Sequence, residues 1–136
     1  MTYTNLYLHI MQGHDAEAIA CIQHQQGINT PCGTFENTPL HIAAEKGLTD
    51  IVKRLLEEDV DINVQNKFGE TPLHLTVMLG HHDIAELLLD HEADSSIENC
   101  NGEIPFDQAI ILEPGGSEAY RYLKARHNHG NHRNST

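Results

Sequence analysis

Imidazoles are the groups in this chain best placed to do chemistry, with eleven histidines in 136 residues. A histidine can ligate a transition ion, move a proton or sit at a helix end. The one local cluster is His127, His129 and His132, in the terminal run HNHGNHRNST. Imidazoles at such spacing can take up a borderline ion such as zinc. No Cys or carboxylate stands among them, so only weak, adventitious metal binding is expected there. His81 and His82 follow Gly80, where solvent-facing side chains are expected. His24 and His91 fall at or beyond the ends of apolar stripes, where a positive ring suits the negative end of a helix. His41 and His74 hold the same place in a repeated tetrapeptide, Thr-Pro-Leu-His.

Three cysteines, Cys21, Cys32 and Cys100, are too few and too scattered for a disulfide framework. Cys21 sits beside Ile22, where a small packed residue is expected, and Cys32 and Cys100 fall in loop or turn segments. Neither of these two has a basic neighbour in sequence to lower its pKa. Gly115-Gly116-Ser117 lacks the preceding strand and following Lys of a phosphate loop. Neither GxSxG nor HExxH occurs. The expectation is a chain that is not an enzyme, with no catalytic residue, no cofactor and no dedicated metal site.

Eight Lys and Arg against twenty Asp and Glu give a formal net charge of -12. That field repels phosphate backbones and anionic lipid, which argues against nucleic acid or a membrane as partner. It favours encounter with a basic protein surface. The start, MTYTNLYLHIMQGHD, lacks the basic and long apolar stretches of a secretory leader, and no run is long enough to span a bilayer. An intracellular, cytoplasmic location is expected. Apolar residues make up 39% of the chain, with Trp absent, so the core must be aliphatic.

The elements that would position these residues follow from a period of 33. Thr38-Pro39-Leu40-His41 recurs as Thr71-Pro72-Leu73-His74, and a weakened copy stands at Ile104-Pro105-Phe106-Asp107. Gly47 maps onto Gly80, Ile51 onto Ile84, Leu55-Leu56 onto Leu88-Leu89, Asp61 onto Asp94 and Gly69 onto Gly102. Thr38 can cap a helix whose first residue, Pro39, needs no hydrogen-bond donor. Leu40, Ala43 and Ala44 share one face, and Gly47 ends the helix. Asp50 can cap a second helix, with Ile51, Val52, Leu55 and Leu56 as its apolar stripe. Helices are therefore expected to start near Pro39, Asp50, Pro72 and Asp83, with Leu55, Leu56, Leu88 and Leu89 in the core. Neither helix of a unit can bury its face alone, but stacked neighbours can.

The segments TPLHIAAEKGLTDIVKRLLEEDVDINVQNKFG and TPLHLTVMLGHHDIAELLLDHEADSSIENCNG resemble the ankyrin repeat family. NLYLHIMQGHDAEAIACIQHQQGIN reads as a degenerate first copy and IPFDQAIILEPGGSEAYRYLKAR as a fourth. The resemblance implies an all-α solenoid of about four helix-turn-helix repeats, near 4–33, 34–66, 67–99 and 100–126. Together these make one domain over 1–126, with 127–136 as a polar, disordered tail. It implies that His41 and His74 are structural, bonding across the turn to backbone of the adjacent repeat. It implies a non-enzymatic module, monomeric alone, that binds a protein through a concave groove lined by turn tips and first helices. The tips are then Thr34, Phe35 and Asn37; Lys67, Phe68 and Glu70; and Cys100, Asn101 and Glu103. The first helices end in Glu45-Lys46, Met78-Leu79 and Ile111-Leu112. Four apolar side chains where the first of these copies carries charge suggest a binding patch with Phe68, rimmed by Glu45, Glu70 and Glu103. Candidate partner contacts are Phe35, Lys67, Phe68, Glu70, Met78, Leu79, Ile111 and Leu112. An architectural homo-oligomer, or metal binding by the tail, are the alternatives.

Overall fold

The computed structural model describes residues 4–107 and Ala125. Six helices are complete among the described residues: α1 (Thr4–Gln12), α2 (Asp15–Gln23), α3 (Pro39–Lys46), α4 (Thr49–Leu56), α5 (Pro72–Leu79) and α6 (His82–Asp90). Residues 105–107 begin a further helical turn, and no strand occurs among the described residues. The helices come in pairs, α1 with α2, α3 with α4 and α5 with α6. The first members pack in one row, α1 on α3 on α5, and the second members in another, α2 on α4 on α6. The expectation of an all-α helical repeat is met.

Helices of eight or nine residues are marginal alone in water, so packing must hold them. In α4, Ile51, Val52 and Leu55 are buried while Lys53 and Arg54 face solvent. Six consecutive residues of α5, Pro72 to Val77, are buried, as expected for a helix enclosed on all sides. The core is aliphatic, with Leu6, Ile10, Ile22, Leu40, Ile51, Leu55, Leu73, Ile84 and Leu88 almost wholly buried.

Thr38 and Thr71 are the N-caps of α3 and α5, with Pro at the first helical position. Gly47 and Gly80 end these helices in the left-handed region, at φ 74° and 77°. After each glycine the chain turns back hard. Leu48 N–H donates to the Ala43 carbonyl, and His81 N–H to that of Thr76, both at 2.9 Å. This turn delivers the backbone directly into the second helix, which starts at Thr49 and at His82, within one residue of the expected Asp50 and Asp83. Leu48 and His81 become the N-caps of α4 and α6, without any side-chain cap bond. Asp50, expected as a cap, instead lies in the first turn, as does Asp83, where their charge favours the helix dipole. Leu56 and Leu89 also depart from expectation. They are half-buried at the margin of the core, whereas Leu55 and Leu88 are at its centre.

Candidate functional site

The turns between helix pairs are held by asparagine side chains. Asn66 Oδ1 accepts from the N–H groups of Phe68 and Glu70 at 2.9 and 3.0 Å. Its Nδ2 donates to the Glu70 carboxylate at 3.2 Å and to Asn37 Oδ1, in the preceding turn, at 2.9 Å. Asn99 repeats the pattern with Asn101, Glu103 and the Glu103 carboxylate. Successive turns are joined by backbone bonds of 2.9 Å, from Lys67 N–H to the Phe35 carbonyl and from Cys100 N–H to that of Phe68. Gly69 permits this approach, since a Cβ there would lie 2.8 Å from the Cys100 nitrogen.

This frame presents two phenylalanines. Phe35 is 52% exposed and Phe68 47%, and their rings lie 5.3 Å apart at a 40° tilt. Lys67 beside them is exposed. Asn37 was expected at a tip but is buried, because it bonds to Asn66. Glu70 and Glu103 are half-buried and tied into their turns, so they are less free to rim a patch than the sequence suggests.

His41 and His74 brace the turns from below. His41 Nε2 lies 2.7 Å from the Glu70 carbonyl and His74 Nε2 2.9 Å from the Glu103 carbonyl. Each Nδ1 accepts from the N-cap amide, Thr38 or Thr71, at 3.1 Å. These partners assign a neutral ring with its proton on Nε2. The return bonds from the His41 and His74 amides to the threonine hydroxyls are longer, 3.5 and 3.3 Å, and correspondingly weaker. Burial pushes both imidazole pKa values down, against a smaller upward pull from the acceptor carbonyls.

A family model described as ankyrin repeats (3 copies) matches residues 2–66 and 40–134. The chain belongs to the ankyrin repeat family. No match is found among curated proteins. Ankyrin repeats are generally protein–protein interaction modules and typically not enzymes.

At the other end of the ankyrin first helices, Leu79 is 46% exposed and Met78 half-buried. Glu45 and Lys46 are exposed at the matching positions of α3. Phe68 precedes α5 and Leu79 closes it, so about 12 Å of helix separates them. The structure thus brings Phe35 and Phe68 together and sets Met78 and Leu79 at the opposite end of the same helix. Ile111 and Leu112 lie outside the described residues, as do Pro114 to Gly116 and the tail histidines.

His81 was expected to face solvent. It is half-buried, and its Nε2 donates to the Glu45 carbonyl at 3.0 Å, linking one ankyrin repeat to the one before. The turns at Gly47–Thr49 and Gly80–Ile84 line a cleft of about 310 Å³. His82, also half-buried, has its Nδ1 buried there without a hydrogen-bond partner. Cys100 is exposed, whereas burial pushes the half-buried Cys32 thiol up, which disfavours the reactive thiolate. No helix among the described residues is long and apolar enough to cross a membrane. Sequence reasoning passed over Asn66 and Asn99, although their spacing of 33 was a usable signal.

Proposed function

We propose that this chain is a scaffold, adaptor or inhibitor that binds another protein through the face carrying its turn tips and first helices. The observation that carries the reading is the paired, half-exposed Phe35 and Phe68 on a frame of buried and backbone hydrogen bonds. Aromatic anchors held rigidly lose little entropy on binding, which suits them to be centres of an interface. Met78 and Leu79 extend the contact at the far end of α5, and Ile111 and Leu112 are proposed to continue it. Lys67 and Glu70 supply polar contacts beside the aromatic pair. The net charge of -12 favours a partner whose apolar anchor is flanked by Lys or Arg. The module is one domain of about four repeats, with residues 127–136 as a tail.

Capture from the native lysate by the unaltered chain and by the double variant Phe35→Ser, Phe68→Ser, compared by mass spectrometry, tests this. The reading expects specific species held by the first and lost by the second. Equal capture by both would remove the aromatic pair from the interface.

A homo-oligomer is a second reading, favoured by Leu8. It is 47% exposed, while Ile42 and Leu75, its counterparts in the next two helix pairs, are 2% and 3% exposed. The first helix pair therefore offers a stacking face of the kind that buries its counterparts. Size exclusion at two concentrations separates the readings, since a concentration-independent monomer leaves only the first.

A further inference from the structure

His9 and His14 flank the turn between α1 and α2, with their Nδ1 atoms 3.5 Å apart. Their ring centroids are 5.6 Å apart and the rings are tilted by 50°. On a continuous helix, residues five apart point about 140° away from each other and do not meet. The turn brings them together. Gly13 takes φ 79°, and His14 N–H donates to the His9 carbonyl at 2.8 Å. This is the long-range bond of a Schellman turn, whose two end residues characteristically touch. The equivalent turns join Ala43 to Leu48 and Thr76 to His81. Of the three, the first alone carries an imidazole at both ends.

We propose that His9 and His14 form a two-ligand site for a borderline divalent transition ion of the zinc type. Two nitrogens each about 2.0–2.1 Å from a tetrahedral zinc lie about 3.3–3.4 Å apart. The observed 3.5 Å is close to that edge, so little movement is needed. Imidazole selects such ions over calcium or magnesium, which take oxygen ligands. His14 is exposed and His9 half-buried, so an ion reaches the pair from solvent. No group of three or more His, Cys, Asp or Glu among the described residues could hold a metal. Among the described residues none fills the remaining positions, which are open to water or another donor. An ion that holds both rings in the folded turn but not in the unfolded chain stabilises the first helix pair by mass action. That pair, at the end of the described stack, packs on one neighbouring pair alone.

The test uses the full chain with His127, His129 and His132 changed to Gln, so that the tail does not compete. Zinc is titrated by calorimetry and by NMR of the imidazole resonances. The proposal expects about one equivalent bound, joint movement of the His9 and His14 signals, and a raised thermal midpoint. Adding His14→Gln should weaken binding about tenfold or more. Calcium should move nothing. Binding that His14→Gln leaves unchanged, or zinc shifts confined to other histidines, would overturn it. Should His14→Gln lose its helical circular dichroism, the resonances of the chain retaining His14 decide the matter alone.

Discussion

At His41 and His74 a single ring ties a helix cap to the next turn, through Nδ1 on one side and Nε2 on the other. Replacing His74 with Ala removes the cap contribution and leaves buried groups unpaired. The expected cost is about 2–4 kcal/mol, read from the denaturant midpoint. The same geometry makes stability depend on pH. Burial lowers both folded-state pKa values below the ordinary 6.5. Well above pH 6.5 neither the folded nor the unfolded ring is protonated, and the full stability is present. As pH falls below that value the unfolded chain takes up protons first, so stability is lost until the folded-state pKa is reached. Between about pH 7.5 and 5.5 the thermal midpoint of the parent chain should fall more steeply than that of His74→Gln. Equal slopes would show that His74 does not contribute. The positions of these rings were legible because the tetrapeptide repeats. The approach of His9 to His14 was not, since their spacing matches no helical face and depends on the turn at Gly13.

The elements were legible where a side chain marks the boundary. Thr-Pro announces α3 and α5, and Gly47 and Gly80 end them. The starts of α4 and α6 fall within one residue of Asp50 and Asp83, as the repeat suggests, but a backbone bond and not an aspartate cap sets them. The apolar stripe of α4 likewise shows which residues turn inward but not how deep each lies. Leu55→Ala should therefore cost about 2–5 kcal/mol, and Leu56→Ala distinctly less. Equal costs would place Leu56 in the core after all. The glycines offer a sharper contrast. Gly80 has nothing within 4 Å of an added Cβ, so Gly80→Ala should cost only the left-handed backbone term, about 1–2 kcal/mol. At Gly69 the Cβ would meet backbone of the next turn, so Gly69→Ala must also break the turn-to-turn ladder. It should be the more destabilising of the two in urea unfolding, and a smaller effect would mean that the turns are not rigidly stacked.

For the whole molecule, the period of 33 was enough to predict a stack, and the stack alone says little about what is bound. The candidate surface was only partly legible. The sequence pointed to Phe35 and Phe68, but their ring contact depends on the register between turns. It joined Phe68 to Met78 and Leu79, which the length of α5 keeps apart. The proposed basic partner predicts an affinity that falls as ionic strength rises, read by calorimetry at two salt concentrations. The central claim, that the turn tips bind a protein, is tested most directly by calorimetry with the captured partner. Affinity and thermal midpoint are measured on the parent chain and on the Phe35→Ser, Phe68→Ser variant. Met78→Ser, Leu79→Ser serves as the comparison for the far end of α5. The account predicts that the tip variant loses more than about 1 kcal/mol of binding while its thermal midpoint stays within a few degrees. Unchanged affinity with a lowered midpoint would show that the aromatic pair serves the fold alone, and would contradict it.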